Sequence, residues 1–188
     1  MSPGEVFVQR NVGNQAMHTD MNCMSCLEYS IKSLKVKTII VCGHYNCGAV
    51  RAALELPSRT PGLVNCWISD IREARSQASR ELAGLSREEA LRRLCELNVM
   101  RQVFHVCTSP VVQEAWAVGQ EVHVWGVIYD VADGLVHRLA GPMNASSDID
   151  SLRYEMTAVI GDDAKSKKRP REEGHPVQEH AVAPVDAA

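Results

Sequence analysis

Residues 37–50, Lys-Thr-Ile-Ile-Val-Cys-Gly-His-Tyr-Asn-Cys-Gly-Ala-Val, run from an apolar stretch into a glycine and deliver His44 and Cys47 three positions apart. Val36, Ile39, Ile40 and Val41 are β-branched and nearly continuous, the pattern of a strand buried on both faces. Gly43 and Gly48 then bracket a tight turn, and residues 49–56 read as a helix. That order places His44 and Cys47 at the carboxyl edge of a parallel sheet, where open α/β sheets collect their ligands. An imidazole and a thiolate suit Zn²⁺, which takes three protein ligands and an open position in catalytic sites, or four in structural ones. Two ligands alone bind weakly. Cys42, inside the strand, is expected to point away from His44 as a core thiol rather than a ligand.

Working outward, residues 5–9, with Val6, Phe7 and Val8, read as a short strand that ends at Arg10. Thr19 or Asp20 can cap a helix whose apolar positions Met24, Leu27, Ile31 and Leu34 recur every three to four residues. Cys23-Met-Ser-Cys26 lies inside that helix and has no strand pattern of a dithiol redox fold after it, so a thiol redox role is a weak alternative. On the other side, residues 57–62 break the chain with two prolines and a glycine, and Val64, Trp67, Ile68 and Ile71 mark another amphipathic helix. Ser86-Arg-Glu-Glu89 is a capping box that opens a long helix to about residue 106. Ser109-Pro110 starts the next helix and Gly119 closes it. Residues 122–129 alternate as a strand, Asp133-Gly134 is a hairpin turn, and residues 135–139 return. A last helix is expected around residues 148–159. Strands alternating with helices predict an α/β fold, a mostly parallel sheet flanked by helices. Asp20 and Asp130 are expected to serve as a helix cap or loop acceptors.

The 188 residues suffice for one domain with a sizeable core, assigned to residues 1–160. Hydrophobic content of 45% and charged content of 23% are those of an ordinary globular protein. Lys and Arg number 20 against 23 Asp and Glu, so a net charge of −3 argues against a nucleic-acid partner. No apolar run is long enough for a membrane span, and the N-terminus lacks the regions of a signal peptide, so the chain reads as cytoplasmic. Seven cysteines then read as buried thiols and metal ligands rather than a disulfide framework. Residues 161–188 are poor in large apolar side chains and are expected to be a disordered tail, with the basic run at 167–171 a solvated part of it.

Several blocks occur together: Pro-Gly-Glu-Val-Phe-Val-Gln-Arg-Asn (3–11), His-Thr-Asp-Met-Asn-Cys (18–23), Val-Cys-Gly-His-Tyr-Asn-Cys-Gly-Ala-Val (41–50), Cys-Glu-Leu-Asn-Val-Met (95–100) and Tyr-Asp-Val-Ala-Asp-Gly-Leu (129–135). In this order they resemble the β class of carbonic anhydrases, in its bacterial-type subclass. The resemblance implies a zinc enzyme that reversibly hydrates CO₂ to bicarbonate and a proton, with His44 and Cys47 as two of the metal ligands. It also implies a homo-oligomer, dimer or tetramer, and a second bicarbonate held by Arg10 and Tyr129 at one sheet edge. The family's Cys-x-Asp-x-Arg signature, carried on its first strand, has no match here. The expectation is therefore an N-terminally incomplete member that lacks a strand between residues 5–9 and β-run 36–41, the third zinc ligand, and the catalytic Asp-Arg pair. Such a chain is expected to be inactive by itself. The alternative is a non-catalytic zinc- or bicarbonate-binding homologue that acts through a complete partner subunit.

Overall fold

The computed structural model describes residues 2–157. The deciding stretch forms β1 (Thr38–His44), which runs parallel to β2 (His123–Asp130) in a register from Thr38↔His123 to His44↔Tyr129. β3 (Leu135–Met143) folds back antiparallel on β2, so the sheet is mixed, in the order β1-β2-β3. The hairpin turn expected at Asp133-Gly134 is present, with Gly134 at φ 74°. β3 continues past residue 139, and the register slips twice between Val124 and Val127.

Among the described residues β1 has a strand neighbour on one side only. It is also covered on one face only: Val41 and Gly43 are buried, while Thr38, Ile40, Cys42 and His44 are exposed, Ile40 by 60%. The expectation of a strand buried on both faces is thus corrected. β-branched composition reports fitness for a pleated strand, not whether a second layer covers it. Residues 5–9 are likewise not a strand, and Val6, Phe7 and Val8 are exposed. A strand exists only through its ladder, and no described segment pairs with this one; Phe7 instead meets the Tyr29 ring at a centroid distance of 6.0 Å.

The helices follow their local signals more closely. Asp20 caps α1 (Met21–Glu28), its carboxylate accepting the Asn22 N–H at 3.1 Å, and the helix runs on as a π-type turn over Tyr29–Ser33. Met24, Leu27 and Ile31 are buried as their spacing predicts, whereas Leu34 lies just past the last turn and is exposed. α2 (Gly48–Glu55) follows β1. The single amphipathic helix expected around Val64 to Ile71 is two pieces, α3 (Leu63–Trp67) and α4 (Ser69–Gln77), because the backbone leaves helical geometry at Ile68 (φ −81°, ψ 14°). Ile68 and Ile71 are fully buried, but Val64 is exposed. The short α5 (Ser79–Ala83) leads to α6 (Arg87–Thr108), whose capping box is formed by Ser86 and Glu89. Ser109 caps α7 (Pro110–Ala117), and α8 (Ile149–Thr157) seals the far end with the fully buried Leu152.

α6 is the spine of the molecule, packed against all three strands and against α2, α4 and α8. Its close approach to the sheet is set by two glycines. A Cβ at Gly126 would sit 2.8 Å from Val103 Cγ2, and one at Gly43 would overlap Val99 Cγ2. The core lies in this layer, between Leu94, Val99 and Val103 on the helix and Val41, Val124 and Ile128 on the sheet. The expected tail, its basic run and the domain boundary near residue 160 lie outside the described residues. No described helix is long and apolar enough to cross a membrane.

Candidate metal centre

β1 ends at His44, which stands opposite Tyr129 in the parallel register. The chain then turns through Tyr45 and Asn46, and Asn46 takes the left-handed conformation with φ 57°. Asparagine tolerates that region because its short side chain bonds locally. The turn therefore depends on Asn46, not on the bracketing glycines: Gly43 still belongs to β1 and Gly48 already opens α2. Cys47 is the N-cap residue of α2 and is 5% exposed.

Hydrogen bonding fixes the chemistry of the imidazole. His44 Nδ1 lies 2.9 Å from the Tyr45 carbonyl oxygen. A carbonyl only accepts, so Nδ1 carries a proton, and in the neutral imidazole this leaves the lone pair on Nε2, the form in which histidine ligates metals. The main chain of the turn is held too: the Tyr45 N–H donates to the Tyr129 carbonyl at 3.0 Å. The Cys95 thiol is pushed up to about 11 chiefly by burial, against a smaller lowering from the Cys47 backbone N–H. Cys95 is therefore a neutral thiol at physiological pH.

Beneath the turn, α6 presents a polar face. The Tyr45 side chain is buried, with the Arg92 guanidinium carbon 3.7 Å from its ring centroid and its hydroxyl donating to Glu96 Oε1 at 2.7 Å. Burial, and then the bond to Glu96, hold that hydroxyl well above the usual phenol range, so it stays a donor. Arg92 also pairs with Asp130 Oδ2 at 3.2 Å, and Asp130 Oδ1 accepts the Ala132 N–H at 3.0 Å. Arg93 bridges Glu81 and Glu96.

The structure thus places His44, Cys47 and Tyr129 around one sheet edge. Arg10 is on no strand, is exposed, and makes no hydrogen bond or ion pair with a described side chain, so it is not joined to Tyr129. Cys42 contradicts expectation: it is exposed, and strand alternation puts it on the same face as His44, the face of β1 that no described element buries. Asp20 and Asp130 serve as cap and loop acceptor, as expected. The Cys23 thiol is pushed up to about 11 by burial, Asp20 and Cys26, which disfavours the thiolate that redox chemistry needs. Tyr45, Arg92, Cys95 and Glu96 escaped the sequence reading. The available signal was the spacing of Arg92, Cys95, Glu96 and Val99, which puts them on one face of a capped helix.

The donors match zinc in kind, one borderline nitrogen and one sulfur. Their number falls short. Among the described residues the only three metal-binding groups with ligand atoms within 4.8 Å of one another are Asp130, Asp133 and His137, on the outer hairpin turn and without His44 or Cys47.

Comparison with known proteins agrees with this arrangement of sheet and helices. The model of the carbonic anhydrase family matches residues 1–136. The carbonic anhydrase of Emericella nidulans is 38% identical over 143 residues, which are 74% of this chain and 60% of that protein's length. The Coccomyxa β-carbonic anhydrase, solved in complex with acetazolamide, is 48% identical with a TM-score of 0.79, over 87% of this chain and 76% of that one. A structure from the study of two tetrameric β-carbonic anhydrases of Sordaria macrospora is 34% identical with a TM-score of 0.68, over 75% of this chain and 71% of that one. The fold is that of the β class. The chain belongs to the carbonic anhydrase family, and it spans about three fifths of the length of the Emericella relative.

Proposed function

We propose that this chain contributes to a zinc-dependent carbonic anhydrase that interconverts CO₂ and bicarbonate, with His44 and Cys47 as its metal ligands. The observation that carries the reading is the turn itself: an imidazole with its proton on Nδ1 and Nε2 free, three residues before a thiol at the N-cap of α2, beside β2 at the sheet edge. Zinc, when bound there, supplies the Lewis acidity that activates water for CO₂ hydration. What the chain's own groups do is hold the ligand tautomer and fix the turn against α6 and β2.

A catalytic zinc takes three protein ligands, and the described residues bring two to this place. We therefore assign the chain, taken alone, a weak metal site and no CO₂ hydration; its alternative role is as a zinc- or bicarbonate-binding subunit beside a complete partner. Arg10 and Tyr129 are assigned to bicarbonate binding of the bacterial-type subclass, supported by their lack of competing side-chain partners among the described residues and by Tyr129 lying opposite His44. A homo-oligomer is supported by the exposed Val6, Phe7, Val8, Leu63 and Val64, and by the tetrameric Sordaria proteins. A cytoplasmic setting is supported by seven cysteines that are all free.

The test is zinc content by atomic absorption with stopped-flow CO₂ hydration on the purified chain. His44→Ala is expected to lose whatever zinc the unmodified chain retains, and neither protein should hydrate CO₂ above buffer. Unchanged zinc in the variant would overturn the ligand assignment; full activity of the chain by itself would overturn the count of ligands.

A further inference from the structure

We propose that Tyr45, clamped by Glu96 and Arg92 of α6, is a positioning residue that sets the tautomer and ring orientation of His44; as a statement about metal binding this rests on the ligand reading above. Tyr45 is tied down at every polar group. Its N–H is spent on the Tyr129 carbonyl, its hydroxyl on Glu96, and its ring lies under the Arg92 guanidinium, while its carbonyl is the acceptor for His44 Nδ1. A carbonyl whose residue is fixed by both backbone and side chain is a fixed acceptor. It selects the imidazole form with Nε2 unprotonated, and it costs the ring its freedom to turn before a metal arrives.

The clamp is built from three elements at once. Glu96 is itself oriented by Arg93 on its second oxygen, and Arg92 by Asp130 at the end of β2. α6 therefore couples the end of β2 to the turn after β1 through Tyr45. Loss of a partner that orients a metal-ligating histidine costs about 10 to 100-fold in metal affinity, and that is the scale expected here. Glu96→Ala removes the acceptor for the Tyr45 hydroxyl. Glu96→Gln keeps an acceptor oxygen at the same distance and is expected to restore most of what alanine loses. Tyr45→Phe leaves the ring under Arg92 but removes the hydroxyl, and should match Glu96→Ala.

Two readouts separate this inference from the ligand assignment. In the metal-free protein, ¹⁵N NMR of the His44 ring is expected to show Nδ1–H in the unmodified chain and in Glu96→Gln, and a mixture of tautomers in Glu96→Ala and Tyr45→Phe. Titration with Co²⁺ alone, followed by thiolate-to-cobalt absorption, should weaken by 10 to 100-fold in Glu96→Ala and Tyr45→Phe relative to Glu96→Gln. A His44→Ala variant that binds Co²⁺ as tightly as the unmodified chain would remove the ligand reading while the NMR comparison still judges the clamp. A single Nδ1–H tautomer in all four proteins, at unchanged thermal midpoints, would overturn the proposal, as would equal Co²⁺ affinities among variants that differ from His44→Ala.

Discussion

Gly43 looks in the sequence like the glycine that stops a strand, yet its φ is not in the left-handed region and it still pairs within β1. What it provides is absence of a side chain: a Cβ there would overlap Val99 Cγ2, and valine, branched at Cβ, has few rotamers with which to retreat. Gly43→Ala should therefore destabilise the protein by about 1–3 kcal/mol, the usual scale of overpacking. Pairing it with Val99→Ala should recover part of that loss, because the second change vacates the contested space. Urea denaturation midpoints of the two single variants and the double variant measure this, and additive losses would show that the two sites do not contact. Residue types are visible in a sequence, but which neighbour forbids a methyl group is not. The same limit applies at Asn46, whose left-handed backbone makes the turn that Gly43 and Gly48 only bracket, and at Tyr45, whose partners Arg92, Glu96 and Tyr129 lie 47 to 84 positions away in the numbering.

Elements divide by whether their cause is local. α6 was readable with its start correct because its capping box is contained in four consecutive residues: Ser86 Oγ accepts the Glu89 N–H at 3.3 Å and Glu89 Oε2 accepts the Ser86 N–H at 2.9 Å. α1 and α7 announced themselves in the same way through Asp20 and Ser109. Strands are different, since pairing is non-local. The apolar run at residues 5–9 has strand composition without a ladder, and β1 has the composition of a central strand while standing at an edge of the described sheet. The break at Ile68 was equally hidden, because the apolar spacing runs through it without interruption. The capping box gives the test at this scale. Ser86→Ala is expected to lower stability by about 1 kcal/mol, and Ser86→Asp to hold it near the original value, because aspartate also caps and adds negative charge at the helix N-terminus. Thermal melts that rank alanine and aspartate equally would show that the start of α6 frays without consequence.

At the level of the whole molecule, one buried polar network joins the loop before α1 to both α4 and α6. Gln102 is fully buried; its Oε1 accepts the Ala16 N–H at 2.8 Å and its Nε2 donates to Asp70 Oδ2 at 2.9 Å. Asn98 reaches the Gly13 carbonyl at 2.9 Å, and Arg101 Nη2 closes on Asp70 Oδ1 at 2.8 Å. Burial alone pushes the Asp70 carboxyl up, but the bonds from Arg101 and Gln102 outweigh it and hold the group below the usual carboxylate range. His105, 3.9 Å from Asp70, is shifted below the usual imidazole range, first by burial and against the pull of Asp70. Both folded-state values lie below their unfolded ones, so both groups contribute stability that is complete above the unfolded pKa and is lost as pH falls through the folded one. For His105 the loss begins below about pH 6.5 and for Asp70 below about pH 3.9. Asp70→Asn should cost about 1–3 kcal/mol at neutral pH, the scale of a buried group left without its partner. Its midpoint should also fall less steeply than that of the unmodified chain on acidification below about pH 4, since the titrating carboxyl is gone. Melting curves from pH 3 to pH 8 decide the matter, taken as about the range that brackets both groups: parallel acid slopes for the two proteins would mean that Asp70 does not govern how the N-terminal loop is held to α6.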